Sequence, residues 1–293
     1  MEWQELTVKT SNEAIEAIDN MLVEAGASGI QIDDTNDVVV INAYFNERIK
    51  INELIPELQL RIAQLTNFGL DPAPATVSIT PVNDESWVST WEKYYHPTRL
   101  SRFLTVVPDW EEYQPQSPNE LIIRLNPGRA FGTGTHPTTV LTLQGLERVI
   151  RGGESMLDVG TGSGVLSIAA KLMGVNQIKA FDLDEVAVNS ALENIRLNPV
   201  AQDVQVSAND MLNGVDDVVD IIAANMLSDV IVPLIPQASH CLRAGGKFVI
   251  SGIIKDKLPL IINQLTNNDF QIDETMNIDD WRGIIATKKM KED

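Results

Sequence analysis

A glycine-rich segment in the second half of the chain has the spacing of a ligand-binding turn. It reads Asp158-Val-Gly-Thr-Gly-Ser-Gly164 and lies between a predicted strand at 156–159 and a predicted helix at 165–173. Glycine has no Cβ, so Gly160 and Gly162 allow the backbone to turn sharply and approach a bound molecule closely. A turn with a purely structural role would use the same residues, so this segment alone does not distinguish a ligand-binding turn from a structural one.

The last position of this turn bears on which ligand it binds. The chain has G-x-G-x-G, and Val165 stands where the dinucleotide fingerprint G-x-G-x-x-G has its third glycine. A dehydrogenase is therefore disfavoured. S-adenosylmethionine, which presents an amino-acid tail to the turn instead of a phosphate, fits the altered spacing. We count Asp158, Gly160 and Gly162 among its candidate contacts.

Acidic residues follow the next two predicted strands. Asp182 ends the strand at 178–181, 18 positions after Gly164. Doubly wound folds place an acid near this spacing to accept hydrogen bonds from ribose hydroxyls. The alternative is a helix cap, and both roles coexist if Asp182 binds ribose and Asp184 caps the helix. Asp210 follows the third predicted strand, where it either accepts from the adenine amino group or is a solvated loop acid.

A second glycine-rich segment, residues 128–139, contains four threonines, and Pro137 suits the first turn of a helix. A segment of this composition could fold over a cofactor, with Phe131, Thr133 and Thr139 as candidate contacts. His136 within it is an acid/base candidate by residue type, although a structural role is the simpler interpretation.

The candidate catalytic residues are Asn225, Met226 and Leu227, which directly follow the predicted strand at 221–224. Ligands of parallel sheets bind at this carboxyl edge. The side-chain oxygen of Asn225 and the neighbouring carbonyls could aim an attacking amine, or Asn225 could cap the next helix. Trp281, before the last predicted strand, either lines the amine pocket or is a buried strand aromatic.

Strands and helices that alternate from residue 138 onward position these residues. Such alternation predicts a parallel sheet covered on both faces. The last two of the seven predicted strands, 270–276 and 281–287, are joined by a short turn, so one of them must run antiparallel. We therefore predict an α/β fold, with a Rossmann-like seven-stranded sheet in a domain at 131–293.

The first half of the chain predicts a second domain. Residues 1–85 have the order βαββαβ, which is typical of a ferredoxin-like α+β domain. Residues 86–130 are predicted as a connector, rich in large aromatic residues that either pack a domain seam or line a substrate entrance. These are Trp87, Trp91, Tyr94, Tyr95, Phe103 and Trp110.

Composition excludes several classes of protein. The net charge of −19 argues against binding the phosphate backbone of nucleic acids. Residues 1–90 carry 15 acidic and 4 basic side chains, which either serve solubility or attract a basic partner. Cys241 is the only cysteine and the three histidines are far apart, so we expect no disulfide and no metal site. No apolar run approaches the length of a membrane span.

Four motifs together resemble the methyltransferases that modify ribosomal protein L11, and the resemblance covers essentially the whole chain. They are Phe131-Gly-Thr-Gly-Thr-His-Pro-Thr-Thr139, Leu157-Asp-Val-Gly-Thr-Gly-Ser-Gly164, Phe181-Asp-Leu-Asp184 and Ala224-Asn-Met-Leu227. The resemblance implies cofactor contacts at Thr139, Gly160, Asp182 and Asn225. Thr161 and Met226 differ from residues common in the family, but neither disturbs an implied contact.

The resemblance also implies the reaction and the partner. S-adenosylmethionine would donate methyl groups, repeatedly, to lysine ε-amines and the N-terminal α-amine of the basic protein L11. The N-terminal domain would recognise that protein. We expect a cytoplasmic monomer that binds neither nucleic acid nor membrane. The alternatives are a methyltransferase acting on another protein or a small molecule, and a cofactor-binding module without catalysis.

Overall fold

The computed structural model describes residues 3–27, 29–33, 38–46, 49, 51–81, 95–126, 134 and 136–290. The chain forms two compact units, Met1–Tyr94 and Tyr95–Asp293. Trp87, Trp91 and Tyr94 of the predicted connector lie outside the described residues. Among those described, no helix is long and apolar enough to cross a bilayer. No group of three or more His, Cys, Asp or Glu in the same residues is placed to hold a metal ion.

The N-terminal unit has the predicted βαββαβ order. Its elements are β1 (Trp3–Thr10), α1 (Ile15–Glu24), β2 (Gly29–Asp33), β3 (Val39–Asn46), α2 (Ile51–Ala63) and β4 (Thr76–Pro81). The strands form an antiparallel sheet in the order β2-β3-β1-β4. Leu6 and Val8 of β1 are fully buried with Ile18 and Leu22 of α1, because alternate strand residues face the helices. The antiparallel α+β domain is confirmed.

Part of the predicted connector forms a small sheet of its own. It contains β5 (Thr98–Arg99), β6 (Leu104–Pro108) and β7 (Leu121–Leu125), with β6 central. Leu104 and Ile123 are fully buried in the same apolar cluster as Ile168, a residue of the larger sheet's helical layer. Residues 95–126 therefore belong to the second compact unit.

In the part of the chain that the structure describes, the larger sheet has seven strands and is covered by five helices. The strands are β8 (Ser155–Val159), β9 (Gln177–Asp182), β10 (Gln205–Ala208), β11 (Val219–Asn225), β12 (Leu242–Ile254), β13 (Phe270–Ile278) and β14 (Trp281–Lys288). The helices are α3 (Pro137–Val149), α4 (Val165–Leu172), α5 (Glu185–Leu197), α6 (Ser228–Cys241) and α7 (Leu258–Asn267).

Strand order confirms the predicted Rossmann-like architecture. The order is β10-β9-β8-β11-β12-β14-β13, and β14 runs antiparallel to both of its neighbours. Both sheet faces are buried: in β8, Met156 packs into one apolar cluster and Leu157 into the other. This explains why the central strands are continuously apolar. The order reverses at β8 and β11, whose carboxyl ends therefore border the crevice where such sheets bind ligands.

Candidate active site

The glycine turn between β8 and α4 is held against the neighbouring strand. The N–H groups of Gly160 and Thr161 both donate to the carbonyl of Phe181 in β9, at 2.8 and 2.9 Å. Gly160 has φ of 71°, a backbone conformation that residues with a Cβ rarely adopt. The predicted turn therefore exists, and its first glycine lies at the carboxyl end of the sheet.

Met226 packs directly on this turn. A Cβ on Gly160 would lie 2.6 Å from Met226 Cε, the flexible end of that side chain, so a larger residue there would require Met226 to move. On the other side, Gly252 has φ of 91° and a Cβ on it would lie 2.1 Å from the carbonyl oxygen of Met226. The loop after β11 is thus enclosed by two glycine backbones. Sequence analysis missed Gly252, since a lone glycine in a strand carries no motif.

Asp158 lies beneath the turn and is fully buried. Its Oδ2 accepts hydrogen bonds from the hydroxyls of Thr161 and Ser167, at 2.8 and 2.7 Å. Its Oδ1 is buried without a partner among the described residues. Burial raises the pKa of this carboxyl to about 6; the bonds from Ser167 and Thr161 oppose the shift, and the charge of Asp182 adds to it.

Of the two acids after β9, Asp184 takes the capping role. Asp184 caps α5, because its carboxylate accepts from the N–H of Val186 at 2.9 Å. Asp182 instead accepts from the N–H of Gly162 at 2.9 Å and from that of Asp184 at 3.1 Å. A carboxylate has about four acceptor positions, so these two bonds leave Asp182 capacity for a ligand.

Asn225 lies opposite Thr139 at the same edge of the sheet. Its Nδ2 donates to Thr139 Oγ1 at 3.1 Å, and Thr139 is fully buried. The alternative in which Asn225 caps the next helix is wrong, because Leu227 occupies the N-cap position of α6. Leu227 itself is 65% exposed. The first turn of α3 and the end of β11 therefore meet at the polar pair Thr139–Asn225.

His136 and Trp281 are in contact beside this pair. Their rings meet edge to face, with centroids 5.5 Å apart. His136 also caps α3, since its Nδ1 lies 3.3 Å from the N–H of Thr138 and accepts from it. The capping bond supports the structural interpretation of His136, and Trp281 is half-buried.

The remaining candidates lie outside this cluster or outside the described residues. Asp210 is exposed, and its Oδ2 accepts from Asn213 Nδ2 at 2.8 Å in the loop after β10. Asn209, which sequence analysis did not single out, ties that loop to β9 by donating its N–H to the carbonyl of Asp182 at 2.9 Å. Phe131 and Thr133 are not among the described residues.

Fold and site together define a Rossmann-like methyltransferase architecture, with the glycine turn at the point where the strand order reverses. The model of the ribosomal protein L11 methyltransferase (PrmA) family matches residues 2–289. The chain belongs to this family.

Similar proteins agree with that assignment over their full length. The ribosomal protein L11 methyltransferases of Levilactobacillus brevis and Enterococcus faecalis are 51% and 47% identical, with complete coverage of both chains. A crystal structure of ribosomal protein L11 methylase from Lactobacillus delbrueckii subsp. bulgaricus is 40% identical, with a TM-score of 0.64. The match covers 67% of this chain and 100% of that one.

The raised pKa of Asp158 predicts a specific pH dependence of stability. Between pH of about 4 and about 6 the folded protein retains a proton that the unfolded chain has released, so the free energy of unfolding falls as pH rises, by about 3 kcal/mol. Asp158→Asn removes this fall, because its amide oxygen accepts the same two hydroxyls and does not titrate. Urea unfolding of both proteins across this range measures the difference.

Asp220→Asn provides a control of opposite sign. Burial alone would raise the pKa of Asp220, but bonds from Ser155 and the Arg243 cation outweigh it and hold the pKa below its ordinary value. The stabilisation of the fold by the Asp220 carboxylate is therefore present above the unfolded pKa and lost as pH falls.

Parallel stability curves for wild type and Asp158→Asn would contradict the account of Asp158.

Proposed function

We propose that this protein is an S-adenosylmethionine-dependent N-methyltransferase that modifies lysine ε-amino groups and the N-terminal α-amino group of ribosomal protein L11. The observation that carries the proposal is the Thr139–Asn225 pair, which lies at the same sheet edge as the Gly160 turn and Asp182. One edge thus combines candidate cofactor contacts with a group suited to bind an amine. Membership of the family supports the choice of reaction and substrate.

The residues at this edge fit S-adenosylmethionine. Gly160 belongs to the turn proposed to hold the amino-acid tail, and Asp182 retains acceptor capacity for the ribose hydroxyls. The Oδ1 of Asp158, which has no partner among the described residues, is a buried acceptor suited to the cationic side of the cofactor, which carries an ammonium and a sulfonium. Asp210 is proposed for the adenine amino group and Thr139 for the cofactor's methionine portion. Phe131 and Thr133 remain sequence-based candidates.

Asn225 is proposed to aim the target amine. Its Nδ2 is engaged by Thr139, so Oδ1 is the atom that accepts a hydrogen bond from the amine. This bond and those to the neighbouring carbonyls of Met226 and Leu227 orient the nitrogen lone pair, and positioning is the main contribution a protein makes to such a transfer. When bound, the cofactor would supply the methyl group: as the nitrogen bonds to the methyl carbon, the C–S bond breaks and its electron pair stays on sulfur.

The amine must lose a proton before it reacts, because a lysine with an unperturbed pKa of about 10.4 is almost fully protonated at neutral pH. A neighbouring positive charge lowers an amine's pKa, and water can accept the proton, so no dedicated base is required. We assign His136 a structural role in the cap of α3 and Trp281 a role in lining the amine side of the site.

The N-terminal unit is proposed to recognise the substrate. We propose domain bounds of 1–85 for recognition, 86–130 for the connector and 131–293 for catalysis, with residues 95–126 of the connector packed into the second compact unit. The excess of acidic residues in 1–90 would attract a lysine-rich protein through long-range electrostatics. We further propose that the enzyme is a monomer and acts in the cytoplasm, where newly made ribosomal proteins are available. We also propose that it does not bind nucleic acid directly.

Removing the Asp182 carboxylate should weaken cofactor binding. Asp182→Ala loses charge-assisted acceptors, so we expect Kd for S-adenosylmethionine to rise about 10- to 100-fold in equilibrium dialysis. Asp184→Ala is the matched control: it removes the cap of α5, costs about 1 kcal/mol of stability and leaves Kd within about twofold. Equal Kd values for wild type and Asp182→Ala would contradict the ribose assignment.

Asn225 should matter mainly for transfer. With unmethylated L11 as substrate, Asn225→Ala should lower the transfer rate about 100-fold, because a misaimed nitrogen reacts slowly.

Intact-mass spectra of L11 with the wild-type enzyme should show several methyl additions per molecule, assigned by peptide mapping to lysines and the N-terminus. Single additions at saturation would contradict repeated methylation of one nitrogen.

The acidic N-terminal unit should set the salt dependence of substrate binding. Reversing Glu13, Asp19 and Asp33 to lysine should slow association with L11 on the order of tenfold at low salt, with convergence toward wild type at high salt. The matched control reverses Glu112, Glu193 and Asp216, exposed acids of the second unit. Association rates that do not respond to salt or to the first triple variant would rule out electrostatic recognition by this unit.

A further inference from the structure

A buried asparagine on α5 joins two separate parts of the second unit. Asn194 is 1% exposed. Its Nδ2 donates to the carbonyl of Ser163 in the glycine turn at 2.9 Å, and its Oδ1 accepts from the N–H of Asn126 at 2.7 Å. Asn126 directly follows β7. One side chain therefore holds the glycine turn and the end of β7 at a fixed separation.

The chemistry of the amide makes this link directional. A buried polar group is costly unless it is hydrogen-bonded, so both ends of Asn194 need their partners. The amide is planar, with a donor at one end and an acceptor at the other, so the two bonds fix the direction of both partners. An apolar residue of similar size would fill the space but would leave the Ser163 carbonyl and the Asn126 N–H without this link.

The helix that carries Asn194 also packs directly against the glycine turn. Ala191, Asn194 and Asn198 lie three and four residues apart, on one face of the helix and its C-cap. Ala191 packs against the turn so closely that a Cβ on Gly164 would lie 3.3 Å from the Ala191 Cα. Residues of α5 thus touch the turn at two successive points, once by packing and once by a hydrogen bond.

Asn198 makes a similar but separate link. It is 4% exposed, accepts from the N–H of Arg124 at 3.0 Å and donates to the Arg124 carbonyl at 2.7 Å. It also donates to the carbonyl of Asn194 at 2.8 Å. Asn198 therefore ties the end of α5 to β7 as Asn194 does, but its side chain makes no bond to the glycine turn.

We propose that Asn194 is a positioning residue for the cofactor site. It acts through Ser163, setting the end of the glycine turn relative to β7, and it touches neither cofactor nor amine. This inference rests on the proposed function, because it takes the turn as the binding site of S-adenosylmethionine. Loss of Asn194 should therefore raise the KM for the cofactor and leave kcat at saturating cofactor nearly unchanged, as expected for uniform binding.

Titration calorimetry with S-adenosylmethionine tests the proposal on wild type, Asn194→Ala and Asn198→Ala. Both variants lose buried hydrogen bonds, so both should unfold at a lower temperature. Only Asn194→Ala should bind the cofactor more weakly, by about tenfold, whereas Asn198→Ala stays within about twofold. Steady-state kinetics with L11 should place the effect of Asn194→Ala in KM.

Hydrogen exchange on the wild-type protein gives a test that needs no variant. Saturating cofactor should slow amide exchange in the glycine turn and also at 121–126, which Asn194 links to it. Protection confined to the turn, or an equal loss of cofactor affinity in both variants, would overturn the proposed role of Asn194 and leave the proposed function standing. A wild-type protein that gives no binding signal contradicts the proposed function and the inference together.

Discussion

The close approach of Gly160 to Met226 is the contact on which the site depends. It joins the loops after β8 and β11, the two strands at which the order of the sheet reverses. The Met226 side chain packs on the turn, and its backbone is held by its N–H bond to the Ser251 carbonyl and by Gly252, where a Cβ would lie 2.1 Å from the Met226 carbonyl oxygen. Asn225 precedes Met226 and pairs with Ser251 in the sheet, so the Thr139–Asn225 pair and the glycine turn lie at the same edge of the sheet.

Polar side chains then fix the turn from three directions. The hydroxyls of Thr161 and Ser167 donate hydrogen bonds to the buried Asp158 below the turn, and the Gly162 N–H donates to the carboxylate of Asp182 beside it. Asn194 holds the Ser163 carbonyl from α5. These bonds hold the turn in place before any ligand binds, and the Oδ1 of Asp158, which has no partner among the described residues, leaves one acceptor of the network open. Rigidity of this kind lowers the ordering cost of binding.

Local patterns in the sequence were sufficient for much of this arrangement. Alternating strands and helices predicted the seven-stranded sheet, and the cap considered for Asp184 as an alternative to ribose binding is present at the start of α5. The roles of Asn194 and Gly252 could not be predicted, because both depend on contacts between segments far apart in the chain. The same limit applied to Asn225, because only the folded backbone shows that Leu227 and not Asn225 holds the N-cap position of α6.

Tritiated S-adenosylmethionine, offered with a mixture of unmethylated ribosomal proteins, tests the central claim most directly. The account predicts that the wild-type protein labels a single band at the position of L11, and that Asp182→Ala does not at the same cofactor concentration. Labelling of a different protein would contradict the proposed substrate. No labelling by a wild-type protein that binds the cofactor would contradict the proposed transfer to ribosomal proteins, while the assignment of the fold and of the family would stand.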